Sequence, residues 1–404
     1  MIRHQGFVFE LKPNNVEKTR LRRFAGCSRF VWNEVLALNE LRFERGEKPM
    51  NYNDSAAYLK FLKAENAWLC DVHSQPLQQS LMDLWKSYTN FFDSKLAAQK
   101  PRFKKKSLPI GIRFPQGFKI ANKAIYLPKV GWIPYIQSRK IIGLPKSITI
   151  SQRAGKWFAS ILTEREVEDV SHPVKSTVGI DLGVKIFAAC SSGEKFEGSN
   201  AFDKLGRKLA HVQRELSRRV KFSKNWRKTK QKISRFHLKI ANTRKDMLHK
   251  ASSSISKNHA IVIIEDLRIG NMTKSASGTV DEPGINVAQK RGLNRRILDQ
   301  GWGIFAEQLE YKCAWNGGLL VRVNPRNSSR ECSKCHHISK ENRKTQALFM
   351  CVNCGFEKNA DFNAADIIEY RGLELLSGRD TSEVPVERSK NAVKQKSRGD
   401  RKVA

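Results

Sequence analysis

Residues 351–368 read CVNCGFEKNADFNAADII. The stretch opens as half of a metal site, Cys351 and Cys354, and seven residues past Cys354 places a carboxylate, Asp361, at the start of a helical pattern. A second Cys-x-x-Cys pair, Cys332 and Cys335, lies upstream, with 15 residues between the pairs. Each such turn puts two thiolates on one metal, and two turns complete a tetrahedron, so the spacing predicts one structural zinc on Cys332, Cys335, Cys351 and Cys354. Gly355 follows the second pair, where a positive φ is often needed. His336 holds the equivalent place after the first, and histidine tolerates that backbone region better than most residues. Cys27, Cys70, Cys190 and Cys313 are isolated and read as buried fillers. A closed four-thiolate site has no open position for a substrate, so the chemistry must lie elsewhere.

Acids inside apolar strands are the candidates. In TVGIDLGVKIF, Asp181 sits within a strand, with Gly183 two residues on. In AIVIIEDL, Glu265 and Asp266 end a run of β-branched residues, and strand alternation sends them to opposite faces. A buried carboxylate needs a partner, and a divalent cation is one. Each acid alone reads equally well as a solvated strand end; the order strand, strand, helix is what sets Asp181, Glu265 and Asp361 apart.

The composition supplies the setting. In 404 residues, 74 Lys and Arg face 39 Asp and Glu, a net charge of +35, and hydrophobic residues make up 40%. The length predicts two to four domains. Such a charge excess repels itself in a compact state and calls for a polyanionic partner. Nucleic acid is the first reading, ahead of a ribosomal-type or membrane-surface protein. No stretch approaches the ~18 apolar residues of a membrane span, and MIRHQGFVFELKP lacks the apolar run of a signal peptide. The expected location is cytoplasmic, without a membrane partner, where paired cysteines mean metal rather than disulfide.

Along the chain, Phe7, Phe9 and Leu11 share one strand face, and Pro13, Asn14 and Asn15 end that strand and cap a helix. Residues 16–98 read as helical, with an apolar stripe at Leu77, Leu81, Leu84, Phe91 and Phe92. Residues 109–170 alternate, and KSITISQRAGKWFASILTERE predicts two strands around a Gly turn. Residues 203–250 carry 17 Lys or Arg and three acids in two amphipathic helices, a nearly single-signed run that favours phosphate contact. Residues 270–295 read as a Gly- and Ser-rich loop, and ILDQGWGIFAEQLEYKCAWNG as one helix ended by Gly317 and Gly318.

GIDLGVK, IIEDL and NADFNAADI resemble the three acidic motifs of a RuvC-type nuclease. With the zinc ribbon between the second and third, and with LKPN, PRFKKK, LNRRILDQGWGIFAEQLEYK and NPRNSSRECSKC, nearly the whole chain resembles TnpB, the RNA-guided nuclease of bacterial insertion sequences and a relative of compact type V CRISPR effectors. Two positions depart from that pattern: His336, where Gly is usual, and Asn359, where Asp or His is common.

The resemblance implies an α/β multidomain protein whose RNase H-like (RuvC) nuclease domain carries an inserted zinc ribbon, preceded by a helical recognition domain and a small β-barrel-like domain. The expected boundaries are 1–15 and 99–170 for the β-rich part and 16–98 for the helical part. The nuclease takes 171–328 and 358–372, the ribbon 329–357, and a basic, disordered tail 373–404. It further implies two magnesium ions, replaceable by manganese, on Asp181, Glu265 and Asp361, and products with 5′-phosphate and 3′-hydroxyl ends. The implied partners are a guide RNA from the transposon end, double-stranded target DNA beside a short flanking motif and, functionally, the element's own transposase, all at the bacterial nucleoid. Tyr52, Gln75 and Gln78 are candidate readers of the motif, since glutamine bonds adenine edges; Arg102, Lys104, Lys105 and Lys106 are candidate phosphate contacts. The rival expectations are a nuclease-dead RNA-guided repressor and a transposase that joins strands with an RNase H-like site.

Overall fold

Phe7, Phe9 and Leu11 are each at most 3% exposed, on one face of strand β1 (Ile2–Leu11). The structure, a computed structural model, describes residues 1–107, 111–279 and 281–378. Two compact units emerge: Met1–Glu168 with Val212–Leu238, and Asp169–His211 with Lys239 onward.

In the first unit, β1 passes into helix α1 (Asn15–Glu44) through a reciprocal cap. Asn14 Oδ1 accepts from the Glu17 amide at 2.9 Å, and Glu17 Oε2 accepts from the Asn14 amide at 2.8 Å. Asn51 and Asp54 repeat the device before α2 (Tyr52–Glu65), which leads to α3 (Ser74–Phe92). The buried stripe of α3 is Leu77, Leu81, Leu84 and Tyr88. Phe91 and Phe92, expected on that stripe, are 36% and 55% exposed, because they are the last two residues of α3, where the stripe that runs through Tyr88 comes to the end of the helix. The strands follow: β2 (Gly111–Phe114), β3 (Lys119–Ala121), β4 (Ala124–Leu127), β5 (Gly131–Pro134), β6 (Leu144–Arg153) and β7 (Lys156–Glu166). β6 and β7 form a hairpin over Ala154 and Gly155, both at positive φ, the backbone a two-residue turn requires. β1 pairs with β7 along its whole length, giving a sheet in the order β1-β7-β6-β2 beside a three-stranded sheet β3-β4-β5. One apolar core, including Leu21, Phe24, Leu77, Phe114, Ile150 and Trp157, runs through helices and strands alike.

In the second unit, β8 (Thr177–Asp181), β9 (Ala188–Cys190) and β10 (Lys195–Phe196) form an antiparallel meander. The basic pair α4 (Ala201–Ser217) and α5 (Lys224–Asn258) follows in the chain, its residues 212–238 counting with the first unit. Next, β11 (Ile261–Glu265) enters parallel to β8. The short α6 (Ile269–Met272) precedes α7 (Val287–Gln300), so helix replaces loop over the last part of 270–295. The long helix expected beyond it is broken. Gly301, at φ 75°, ends α7 and starts α8 (Trp302–Trp315), and a Cβ there would stand 3.1 Å from Leu248. β12 (Leu319–Val323) adds parallel to β11, completing the order β10-β9-β8-β11-β12. A small hairpin, β13 (Leu348–Met350) with β14 (Glu357–Asn359), feeds α9 (Ala360–Leu376). The boundary expected at 373 therefore falls inside α9; residues 379–404 of that tail lie outside the described residues. Among the described residues, no helix is long and apolar enough to cross a membrane.

Candidate active site

Asp181 is the last residue of β8 and Glu265 the last of β11. The strands are parallel neighbours, with Ile264 opposite Ile180, so both acids leave the sheet at the same edge. Asp361 enters from α9, which lies across β8 and β11. That approach depends on two glycines. A Cβ on Gly179 would meet the Ala365 carbonyl at 2.2 Å and the Glu369 amide at 2.5 Å, and one on Gly372 would meet Ile263 at 2.5 Å. Gly179→Ala must therefore push the α9 backbone off the sheet, because main chain cannot rotate aside. The expected cost is about 3 kcal/mol, a fall of roughly 6–12 °C in Tm. An unchanged thermal melt would refute this close approach.

The three acids share one electrostatic neighbourhood. Burial, then the carboxylates of Glu265 and Asp361, push the Asp181 carboxyl up to about 7, against the pull of Arg343. Asp181 nevertheless keeps some solvent contact. Glu265 is 8% exposed; burial raises its pKa, while the Ser328 hydroxyl and Arg371 oppose the rise. Ser328 Oγ donates to Glu265 Oε1 at 2.5 Å. Arg343 approaches Asp361 Oδ1 at 3.7 Å. Asp266 is exposed, away from this cluster. Gly183 serves a backbone contact, since a Cβ there would lie 2.7 Å from the Ile186 carbonyl.

The four cysteines converge. All four sulfurs lie within 4.8 Å of one another, and among the described residues theirs is the one group of three or more metal-ligating side chains that close. Cys332 and Cys354 are 3.7 Å apart, Cys335 and Cys351 3.5 Å. A tetrahedron with bonds of ~2.3 Å has edges near these lengths, so a zinc ion fits the set. The His337 amide holds the Cys335 thiol down to about 6, whereas burial pushes Cys332 up to about 12. His336 and Gly355 both take positive φ, 57° and 70°. His336 turns its ring to Glu331, 3.0 Å away.

The cysteine cluster is stitched directly to α9. Asn363, fully buried, accepts from the Ser333 amide at 3.1 Å and donates to the Glu331 carbonyl at 2.8 Å. The Ala360 amide donates to the Ala347 carbonyl at 2.9 Å. Asn359 caps α9, its Oδ1 accepting from the Asp361 amide at 3.0 Å. These contacts join the cysteine cluster to the start of the helix that carries Asp361.

Ser328, Arg343, Asn363 and Gly179 were not singled out from the sequence. Gly179 stands two residues before Asp181 in the same motif and was the one open to detection. The other three act through contacts between distant segments.

Among the other candidates, Tyr52 begins α2 and packs on the core of the first unit. Gln75 and Gln78, partly exposed, lie in the first turns of α3. Arg102, Lys105 and Lys106 are exposed. Lys104 is turned inward, its Nζ 3.5 Å from the centroid of the Trp32 ring, and burial pushes its pKa down to about 8.

Parallel strands that end in Asp181 and Glu265, Asp361 on a covering helix and a four-thiol cluster at that helix's start belong to an α/β protein. A family model described as "Probable transposase" (OrfB of IS605) matches residues 160–276, and a "Cas12f1-like, TNB domain" model matches 302–368. A "Helix-turn-helix domain" model matches 1–48, which here form β1 and the 30-residue α1. The Escherichia coli (strain K12) protein "Putative RNA-guided DNA endonuclease InsQ" is 48% identical over 398 residues, covering 96% of this chain and 98% of that protein. "CRISPR-associated endodeoxyribonuclease Cas12f1" of Sulfoacidibacillus thermotolerans is 28% identical over 238 residues, 55% of this chain and 52% of its own. The solved complex "Cas12f1-sgRNA-target DNA" shares the fold at TM-score 0.51 and 17% identity, over 87% of this chain and 82% of that one. The chain belongs to the TnpB family of insertion-sequence RNA-guided DNA endonucleases.

Proposed function

We propose that this protein cuts DNA under the direction of a bound guide RNA, and that Asp181, Glu265 and Asp361 form its nuclease site. In this reading the second unit is an RNase H-like (RuvC) domain with an inserted zinc ribbon. The first supplies a helical recognition domain and a small β-barrel-like domain. The observation that carries it is that Asp181 and Glu265 end adjacent parallel strands at one sheet edge while Asp361, on the covering helix, is near enough to act on the charge of Asp181, the three carboxylates being less tightly grouped than the four thiols.

The donor set fits hard divalent cations, magnesium first and manganese as a substitute. It is all carboxylate, burial and then the two neighbouring carboxylates push Asp181 up to about 7, and Asp181 keeps some solvent contact. Bound there, two such ions would supply an activated water and offset charge on the scissile phosphate. The chain's own groups set the stage. Ser328 occupies one oxygen of Glu265 and leaves the other to face a ligand. Arg371 donates to the Asn324 and Arg326 carbonyls at 2.9 and 2.8 Å and to Glu331 at 2.5 Å, holding the segment that carries Ser328. Arg343 sets a positive charge beside Asp361, where a phosphate would arrive. Tyr52, Gln75 and Gln78 remain our candidates for a flanking motif, and Arg102, Lys105 and Lys106 for phosphates.

The RNA partner is supported by the net charge of +35 and the basic run over 203–250. The protein purified with its nucleic acid should carry a discrete RNA from the transposon end, identified by sequencing. Its affinity should fall by about 10³-fold between 50 and 200 mM salt. A random RNA population with salt-independent binding would refute the guided reading.

A further inference from the structure

Against the segment that follows Asp181 lies a cavity of about 520 Å³, within the roughly 300–1,000 Å³ of small-ligand sites. Val184 and Lys185, three and four residues beyond Asp181, form one wall, and Phe202, Arg295, Arg296 and Gln300 form others. Gln346 also lines it and links it to the acids. Its carbonyl accepts from Arg343 at 3.1 Å, and Arg343 reaches Asp361 at 3.7 Å.

The lining has the chemistry of a nucleotide site. The Arg295 guanidinium stands 5.3 Å from the Phe202 ring centroid, a flat pair on which a base can stack. Among the described residues, no carboxylate comes within ion-pairing distance of Lys185, Arg295 or Arg296. Two acids also line the cavity. Asp299 is committed, accepting from the Phe202 amide at 3.1 Å and pairing with Arg244 at 3.4 Å. Asp203 leaves three cations against one uncommitted acid. Gln300 is 4% exposed, and its amide nitrogen donates to the Val184 carbonyl at 3.2 Å, which fixes the floor next to β8.

The geometry points to a substrate subsite: the cavity takes the unpaired DNA nucleotide that neighbours the scissile phosphate, with its base on Phe202 and Arg295 and its phosphate on Arg296 and Lys185. This rests on the nuclease reading above. It explains how one site can act on either strand, because base stacking is indifferent to sequence whereas duplex DNA offers no free base to stack. The cavity would accept a strand only after it has been separated from its partner.

The test uses the whole complex. Glu265→Gln protein with its guide RNA is loaded with target DNA bearing 5-iododeoxyuridine at successive positions around the cut, irradiated, and digested for mass spectrometry. Crosslinks to the Phe202 peptide are expected from one or two positions adjoining the cut. Crosslinks only from positions paired to the guide, or none, would overturn the assignment. In parallel, Phe202→Ala and the double variant Arg295→Ala/Arg296→Ala should lower kcat/KM on an unpaired target about tenfold or more. Guide-dependent duplex binding should hold in both. Phe202→Tyr should restore cutting, which separates stacking from mere loss of fold. Full-rate cutting by both variants, with Asp181→Ala inactive, sinks the subsite and leaves the nuclease reading standing. Inactive wild-type protein sinks both.

Discussion

Asp181→Ala, Glu265→Gln and Asp361→Ala are each expected to abolish DNA cleavage, by about 10³-fold or more, while guide-dependent DNA binding persists. In the proposed site each acid would contribute a donor oxygen at the same edge of the sheet, so removing one should take away metal affinity rather than nucleic-acid contact. Binding draws instead on the basic surface and on RNA–DNA pairing, neither of which these changes touch. Removing Glu265 or Asp361 also relieves the part of the rise in the Asp181 pKa that their charges add to the larger effect of burial. In metal-free protein, the raised folded-state pKa means that stability falls as pH climbs from ~4 to about 7, where Asp181 ionises among its neighbours. Divalent cation should reverse that fall in the wild type and lose the effect in the variants. Asp266→Asn, exposed beyond the end of the same strand, should cut normally. The measurement is plasmid cleavage beside a gel shift with one guide. If wild type and all variants bind and none cuts in magnesium or manganese, the protein is a nuclease-dead binder. If Asp266→Asn fails and Glu265→Gln cuts, the assignment of the two acids is reversed.

What could be read from the sequence was what local chemistry fixes. The strand phase of Phe7, Phe9 and Leu11, the Asn14 cap and the turn before β7 each depend on a few adjacent residues, and each is visible as a pattern. The tolerance of His336 for positive φ belongs here too, since the geometry of one Cys-x-x-Cys turn imposes it on whatever residue follows. The same locality explains the errors. Helical periodicity ran straight through Gly301 because a glycine within an amphipathic pattern costs little, and only its close approach to Leu248 shows why the chain bends there. Lys104 read as one cation in a basic run, yet Trp32, 72 residues earlier, draws it inward. The supports of the acids were hardest to see. Ser328 and Glu265 are 63 residues apart, and Arg343 reaches Asp361 across the whole second Cys-x-x-Cys pair. Such contacts are decided by how elements pack, and no period or spacing encodes them.

Cys351→Ser should cost the protein its zinc, and cleavage should fall with it by about 100-fold or more, although Cys351 belongs to no part of the proposed nuclease site. The hydrophobic cluster around the cysteines is small: Cys332, Phe349, Cys351 and Ala360, with Cys335 and Phe356 against it. So little apolar surface cannot fold a segment unaided. A structural zinc contributes about 10–16 kcal/mol to sites of this kind, and losing one thiolate releases most of that. The β13–β14 hairpin holds Cys351 just past one strand and Asn359 at the end of the other, so a metal held by the cysteines would fix the register that ends at the cap of α9. Asn363 ties the next turn of α9 to Ser333, inside the first Cys-x-x-Cys pair. Once the metal goes, the helix loses both its cap geometry and this tie, and Asp361 leaves the edge where Asp181 and Glu265 end. Metal analysis should find one zinc per chain in the wild type and in Asp361→Ala, and less than half in Cys351→Ser. Amide exchange should then accelerate over the first turns of α9 and stay slow in β8 and β11, whose ladder does not involve the cysteines. That pattern separates displacement of one carboxylate from general unfolding. Wild-type protein stripped of zinc that still cuts at full rate would show that α9 keeps its place without the metal, and the coupling argued here would be wrong.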